Sequence, residues 1–299
     1  LAAAQADHDA TLDYVRQPVG ETTAPINSYW ALVADDPSVQ IVSVAQLWYG
    51  EQLAVAAGLP ALPMLSAAAP FKSGGRGGPD YYTDVKPGPI AIKDVADIYL
   101  YPNTLRIVKV TGAQVREWLE RSAGIFNTID PQSTAEQALV DPAFPAYNFD
   151  VIDGVTYRID VTQPRRYDTD GALENPDSHR IFELSRLGAA VEDDDEFLVV
   201  TNNYRAGGGG NFPGADGSTI VLEAPDTNRD VIVRYIVSEK TIDPEADRNW
   251  RFKAWPETAN VTIVSSPAAA DAAPPAGMTV EKVGDAEGGF TRYRVSLAG

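Results

Sequence analysis

Apolar residues recur along much of the chain at spacings that alternate between those of helices and those of strands. Helical spacing after Pro37 predicts a helix with a buried face that ends at Gly58, and helical spacing after Thr111 predicts a second one. Thr111 with Gln114 three residues later forms a capping-box pattern. Residues 7–17 are a polar stretch that predicts a further helix ending at a proline. A fourth helix is predicted to begin at Thr227.

Strands are predicted where short β-rich runs end in turn residues. These runs cover residues 104–110, 197–200, 218–223 and 291–297. Asp-Gly at positions 153–154 lies between two further runs and predicts a β-hairpin. The sequence therefore predicts a domain that contains both helices and strands.

Residues 197–213 are the stretch that most resembles a binding site. An apolar strand runs into Asn-Asn-Tyr-Arg-Ala and then into four consecutive glycines at 207–210. Glycine allows a ligand to approach the backbone amides, and Tyr204 and Phe212 flank the run with flat apolar faces between which a planar ligand could lie. A mobile surface loop whose aromatic rings only pack down would show the same local pattern.

A second glycine-rich loop is predicted within residues 61–83, after a strand of small residues. Lys72 and Arg76 lie in this loop, and both could contact an anion together with backbone amides. Two solvated cations in a flexible loop are the alternative interpretation.

Composition limits the possible partners. The chain has 299 residues, 44% of them apolar, and a formal net charge of -18. This charge makes general binding to nucleic-acid polymers or acidic membranes unfavourable. No apolar run is long enough to span a bilayer, and the absence of cysteine excludes disulfides and thiolate chemistry. Residues 1–10 lack the features of a signal peptide and position 1 is not Met, so we expect a processed or excised piece.

Few residues suit hydrolytic or metal chemistry. The chain has two histidines, whereas a two-metal hydrolytic centre needs several His and carboxylate ligands that converge. No nucleophile elbow, phosphate-binding Walker pattern or dinucleotide fingerprint occurs in the sequence. These motifs therefore identify no catalytic centre in the sequence.

Four blocks carry a family resemblance, and they cover residues 66–76, 99–104, 147–154 and 201–207. In this order they resemble the C-terminal domain of the 5'-nucleotidase family, in its bacterial 2',3'-cyclic-nucleotide 2'-phosphodiesterase/3'-nucleotidase branch. The resemblance implies an α+β fold, a mixed sheet with flanking helices. It also implies a substrate-binding domain that grips the base of a nucleotide between two aromatic rings.

The resemblance further implies a domain organisation. Residues 1–20 would be the end of an interdomain helix and a linker, and residues 21–299 the nucleotide-binding domain. An N-terminal metallophosphatase domain, which is absent from this chain, would be its partner in the same polypeptide and would hold two divalent metals and the hydrolytic residues. This segment alone would be inactive and would need no cofactor, and its parent enzyme would be periplasmic or secreted.

The family pattern also implies site residues. Tyr204 matches the aromatic residue of the family's glycine loop, and Tyr101 resembles its opposing partner. Phe149 is a competing candidate, because it resembles the second ring of the 5'-nucleotidase branch. That branch has Asp where Gly210 stands, so its ribose contacts cannot be transferred. The expected substrate-contacting residues are Tyr101, Tyr204, Phe149, Gly208, Gly209, Phe212, Asn103 and Arg76.

Two alternative functions remain at this point. The same domain could serve a 5'-nucleotidase or a sugar-nucleotide hydrolase. A function of another class is a non-enzymatic module whose glycine loops bind a protein or a glycan.

Overall fold

The computed structural model describes residues 2–297, except for the side chains of residues 2–7 and 9. Its helices are α1 (Ala2–Val15), α2 (Pro37–Ala57), α3 (Ile92–Ile98), α4 (Gly112–Ser122), α5 (Asn203–Ala206) and α6 (Asn228–Glu239). No helix within the described residues is both long enough and apolar enough to cross a membrane.

The strands are short and follow one another closely along the chain. They are β1 (Pro18–Thr22), β2 (Ile26–Asn27), β3 (Met64–Ala68), β4 (Asp84–Val85), β5 (Gly88–Ala91), β6 (Thr104–Thr111), β7 (Glu136–Ala138), β8 (Val151–Asp153), β9 (Thr156–Ile159), β10 (Ile181–Arg186), β11 (Ala189–Ala190), β12 (Glu196–Asn202), β13 (Ile220–Thr227), β14 (Thr241–Ile242), β15 (Trp250–Phe252), β16 (Asn260–Ser265), β17 (Met278–Asp285) and β18 (Thr291–Leu297).

A five-stranded mixed sheet in the order β13-β6-β12-β3-β8 lies at the centre of the fold. Strand β12 runs parallel to β3 and antiparallel to β6. The apolar run of residues 197–200 is fully buried in this central strand, as expected for a strand covered on both faces. Helix α2 packs against β12 at Gly50, where a Cβ atom would lie only 2.5 Å from a methyl group of Val200.

Residues 2–297 also form four smaller sheets. Their strand orders are β14-β1-β5, β11-β10-β9-β15, β17-β18-β16-β7 and β2-β4. Mixed sheets with helices packed between and against them confirm the predicted α+β class.

Helix boundaries follow the signals in the sequence. Helix α4 begins at Thr111, whose hydroxyl accepts from the amide of Gln114 while the Gln114 side chain accepts from the amide of Thr111. Helix α2 begins after the N-cap Asp36 and ends at Gly58, which has a φ of 67°. The caps confirm these predictions, because each satisfies backbone groups left unpaired at a helix end.

The predicted hairpin at positions 153–154 is wrong. Strand β8 pairs with β3 in the central sheet, whereas β9 pairs with β10 and β15 in a different sheet. Gly154, with a φ of 93°, lets the chain turn between the two sheets. The turn residues were identified correctly, but the strands on either side find other partners.

Candidate functional site

Two segments that carry aromatic residues meet at one end of the central sheet. Strand β12 ends where its antiparallel neighbour β6 begins, and Asn202 pairs with Leu105. Just beyond this pair, the amide of Thr104 donates a hydrogen bond of 3.0 Å to Oδ1 of Asn203. Tyr101 precedes β6 and Tyr204 follows β12, so the fold brings both segments to the same sheet end.

Tyr204 lies on the short helix α5 and is 47% exposed. A Cβ atom placed on Gly209 would lie 2.5 Å from Cε1 and 2.6 Å from both Cδ1 and Cζ of the Tyr204 ring. Near-equal distances to three consecutive ring atoms place this glycine over a face of the ring rather than beside its edge. One face of Tyr204 therefore rests on bare backbone, and the exposed surface belongs to the rest of the ring.

Tyr101 is 40% exposed and packs against other aromatic residues. Its ring is nearly perpendicular to Phe71, at 79° with centroids 5.3 Å apart, and Phe71 in turn contacts the buried Tyr99. Burial raises the pKa of the Tyr99 hydroxyl, which hydrogen-bonds with the side chain of Asn103. Asn103 is therefore engaged in holding the segment that carries Tyr101.

Two of the expected ligand-facing rings are buried. Phe149 is 1% exposed and packs perpendicular to Phe126 and Trp250, and Phe212 is 3% exposed. Neither ring offers a face to a ligand in this structure, because apolar side chains or guanidinium groups cover both of them. The structure thus places both rings in the interior of the protein, whereas Tyr101 and Tyr204 are exposed.

Phe212 instead lies between two buried arginines. The guanidinium carbon of Arg205 is 3.8 Å from the Phe212 ring centroid and that of Arg121 is 5.3 Å from it. Nε of Arg205 is 2.7 Å from the Asp150 carboxylate, and this ion pair is almost fully buried. Burial, and then the charge of Arg205, lower the pKa of Arg121 to about 10, so Arg121 still carries its charge at neutral pH.

The arginines hold residues 207–210, which we call the glycine segment. Arg205 donates to the carbonyl oxygen of Gly209, and Arg121 donates to that of Gly210 at 3.1 Å. Gly208 and Gly210 have φ values of 103° and 79°, which side chains disfavour. Two buried arginine side chains thus hold the glycine segment in place, and the positive φ values at two of its positions favour glycine there.

Tyr147 is a neighbour of Tyr204 that the sequence did not single out. It is 41% exposed, and its ring lies at 81° to that of Tyr204 with centroids 6.3 Å apart. Its carbonyl oxygen accepts from Nη2 of Arg205 at 2.8 Å. The residue belongs to a recognised block, but only the tertiary pairing through Arg205 places it beside the glycine segment.

The second glycine-rich loop divides its two cations between different roles. Lys72 forms an ion pair with Asp97 and lies 5.3 Å from the ring centroid of Tyr81. Arg76 is exposed, and its side chain has no hydrogen-bond or ion-pair partner among residues 2–297. Of the two cations, Arg76 remains free to meet an anion.

Within the described part of the chain, no group of three or more His, Cys, Asp or Glu side chains is arranged to hold a metal ion. The sheet end presents aromatic faces, backbone amides and buried arginines. Such a surface suits a flat, uncharged moiety.

The chain matches the family model described as 5'-nucleotidase, C-terminal domain, over residues 31–217. It is 47% identical over 305 residues to a 2',3'-cyclic-nucleotide 2'-phosphodiesterase/3'-nucleotidase of Haemophilus influenzae, covering 97% of this chain and 46% of that protein. It is 49% identical over 262 residues to a trifunctional nucleotide phosphoesterase protein of Bacillus subtilis, covering 88% of this chain and 18% of that protein. The chain thus spans less than half the length of these curated relatives.

The fold also resembles that of a solved structure, a 5'-nucleotidase precursor from Thermus thermophilus. The TM-score is 0.62 at 13% sequence identity, and the match covers 85% of this chain and 43% of the other. At this identity the likeness concerns the fold alone.

Proposed function

The chain belongs to the 5'-nucleotidase family, as a C-terminal domain, and from this we propose that it binds the nucleoside part of a nucleotide substrate. The base would stack on the open face of Tyr204, with Tyr101 as the opposing ring. The observation that carries the proposal is the ring of Tyr204, which is supported on one face by Gly209 and is half exposed.

The surroundings of the two tyrosines support this role. Each ring is braced by a neighbour, Tyr204 by Gly209 and Tyr101 by Phe71, and each keeps a large exposed surface. Both segments are tied to the same sheet end by the hydrogen bond between Thr104 and Asn203. Rings held in place before the ligand arrives lose little conformational entropy when they bind it.

Stacking also sets the expected specificity. A base stacked on an aromatic side chain gains ~1 to 3 kcal/mol, and every base has a π face. We therefore propose a site that accepts several bases. The base-binding site itself would need no positive charge, because the phosphate would be bound elsewhere, by Arg76 or by metals on another domain. Such a site is compatible with a protein of net charge -18.

For the whole protein we propose a two-domain hydrolase of 2',3'-cyclic nucleotides and 3'-nucleotides. The name of the Haemophilus relative and its length support this proposal, since this chain covers only 46% of it. Residues 1–20 would end the connection to an N-terminal domain that holds two divalent metals and the hydrolytic groups. The parent protein would work in the periplasm or outside the cell, as the resemblance implies.

Titration calorimetry of the 299-residue chain with adenosine tests the binding proposal. Tyr204→Ala and Tyr101→Ala should each weaken binding about five- to 150-fold, which corresponds to the loss of one stacking contact. Tyr14→Ala removes an exposed tyrosine from α1 and should leave the affinity unchanged. Absence of adenosine binding, or binding that is equal in all three variants, would contradict the proposal and favour a protein- or glycan-binding module.

The inactivity of the isolated chain needs a separate assay. With Mg²⁺ or Mn²⁺ present, the purified chain should not hydrolyse 2',3'-cyclic AMP, 3'-AMP or 5'-AMP. The full-length parent assayed on the same three substrates separates the cyclic-nucleotide branch from a 5'-nucleotidase. Hydrolysis by the isolated chain that persists after repurification would show that it holds a catalytic centre of its own.

A further inference from the structure

A nearly buried carboxamide, that of Asn148, lies beside the glycine segment. Asn148 follows Tyr147 in a single 3-10 turn (Ala146–Asn148) and is 5% exposed. Its Oδ1 atom lies 3.2 Å from both Nη1 and Nη2 of Arg205, and both donate to it. Asn148 is thus fixed by the same guanidinium group that holds Asp150 and the Tyr147 carbonyl.

This contact decides how the carboxamide of Asn148 is oriented. A guanidinium group has only donors, so it must face the oxygen of the carboxamide and not its nitrogen. The Nδ2 amide group then points away from Arg205. Nδ2 has no hydrogen-bond partner among the described residues, and it is not one of the unpartnered nitrogens that are sealed from solvent.

The position of Asn148 relative to the rings follows from its neighbours. A side chain at Gly210 would collide with Oδ1 of Asn148, so the carboxamide directly abuts the glycine segment. The preceding residue, Tyr147, stands at a right angle to Tyr204. The amide group therefore lies where Tyr147, Tyr204 and the glycine segment converge.

The carboxamide is held in one orientation by Arg205, and its Nδ2 group is open to solvent, so a ligand acceptor can take the place of a water molecule there. We propose that Nδ2 of Asn148 donates a hydrogen bond to the base of the bound nucleoside. The acceptor would be N3 of a purine or O2 of a pyrimidine, because these positions on the sugar side of the base carry an acceptor in both classes. This assignment rests on the proposed nucleoside-binding function.

The two kinds of contact have different consequences for the bound base. Stacking on Tyr204 holds the base in a plane but leaves it free to rotate within that plane. A hydrogen bond from Nδ2 of Asn148 would fix this rotation and so the direction in which the ribose extends from the base. Because the acceptor is shared, the donor gives orientation without selecting one base.

The substitution Asn148→Asp tests this assignment with little change of shape. It keeps an oxygen towards Arg205 and replaces the donor with a second acceptor. We expect adenosine to bind about tenfold more weakly, as for the loss of one hydrogen bond in a confined site. 3-Deazaadenosine lacks the N3 acceptor, so it should bind the unsubstituted chain about tenfold more weakly than adenosine and be unaffected by the substitution. 7-Deazaadenosine keeps N3 and should behave like adenosine in both proteins.

The outcomes separate the two proposals. If the unsubstituted chain binds no adenosine, the nucleoside-binding function is overturned, and this assignment with it. If binding is lost in Tyr204→Ala but changes by less than about twofold in Asn148→Asp, only the assignment is overturned, since one hydrogen bond is worth more than that. Equal losses for adenosine and 3-deazaadenosine also overturn it, because the effect would not pass through N3.

A crystal structure of the unsubstituted chain with adenosine gives an answer that does not depend on how the variant folds. Nδ2 of Asn148 should lie within about 3.2 Å of N3. A separation beyond about 4 Å is too long for a hydrogen bond and would overturn the assignment.

Discussion

The backbone of Gly209 lies directly against one face of the Tyr204 ring, at a distance that leaves no room for a Cβ atom. The two residues are five positions apart, and the turn between them is closed by a 2.9 Å hydrogen bond from the amide of Gly209 to the carbonyl oxygen of Tyr204. The tilt of the ring is therefore set by a residue that contributes no side chain.

Gly209→Ala should displace the Tyr204 ring and weaken adenosine binding at least about fivefold, since one stacking contact is worth ~1 to 3 kcal/mol. Gly209 has no positive φ, so backbone strain does not add to the steric effect. Gly284→Ala is the matched control, because that glycine also has no positive φ and a Cβ atom there would meet open space. Equal affinities of the two variants, measured by calorimetry, would contradict this interpretation.

Arg205→Met should be strongly destabilising. The substitution leaves the Asp150 carboxylate buried with only Trp118 Nε1, at 2.8 Å, as a side-chain donor. Removing one partner of a buried ion pair costs about 3–5 kcal/mol. Urea denaturation followed by circular dichroism measures the change in the free energy of unfolding.

An exposed ion pair provides the control for that measurement. Arg294 and Glu281 are 3.5 Å apart on the solvent side of β17 and β18. Such pairs contribute ~1 kcal/mol or less, so Arg294→Met should shift the denaturation midpoint only slightly. Equal urea midpoints for the two arginine variants would contradict the predicted cost of leaving the Asp150 carboxylate without its partner.

Two carboxylates near the start of α2, those of Asp35 and Asp153, should make stability depend on pH. Burial raises the pKa of Asp35 to about 7 and that of Asp153 to about 6, and the charge of the exposed Asp247 raises both. In the unfolded chain an Asp has a pKa of about 3.9. From pH ~4 to ~7 the folded state thus keeps protons that the unfolded state has released, and stability should fall as the pH rises.

Asp247→Asn should reduce this loss. With one negative charge removed, Asp35 and Asp153 ionise at lower cost, so the variant should gain more stability at pH 8 than at pH 5. Glu257→Gln removes an exposed charge elsewhere and should show no such difference between the two pH values. Thermal unfolding at both pH values checks the prediction, and an equal effect of both substitutions would refute it.

Tyr147→Ala should weaken adenosine binding by about two- to twelvefold, less than Tyr204→Ala. Its ring meets that of Tyr204 at 81°, so it can border a stacked base but cannot stack on the same base face. An edge contact between aromatic rings is worth about 0.5–1.5 kcal/mol, below a full stacking contact. A loss as large as that of Tyr204→Ala would indicate that Tyr147, rather than Tyr101, is the second ring that contacts the base.

Elements defined by local signals could be predicted from the sequence. The capping box at Thr111 and the glycine stop at Gly58 act through bonds within a few residues, and both helix ends lie where they indicate. The hairpin at positions 153–154 failed because strand pairing is decided by distant partners. A turn signal shows where the chain bends, not which strands will pair.

The same contrast applies to the aromatic residues of the candidate site. The family pattern pointed to Tyr101 and Tyr204, whose rings are exposed at the same sheet end. Phe149 carries an equally suitable ring, but it is buried against Phe126. Burial depends on packing between sheets, which spacing along the chain does not encode. For the same reason the sequence did not indicate that Tyr147 lies beside Tyr204.

The hydrogen bond between Thr104 and Asn203 joins the two segments that leave the ends of adjacent, paired strands. Strand separation in a sheet is nearly invariant at about 4.8 Å, so the roots of the two tyrosine-bearing turns cannot drift apart. The separation of the two turns is therefore set by main-chain geometry, which most side-chain substitutions do not alter. Side chains around the two tyrosines can therefore change while the spacing between the turns that carry them stays the same.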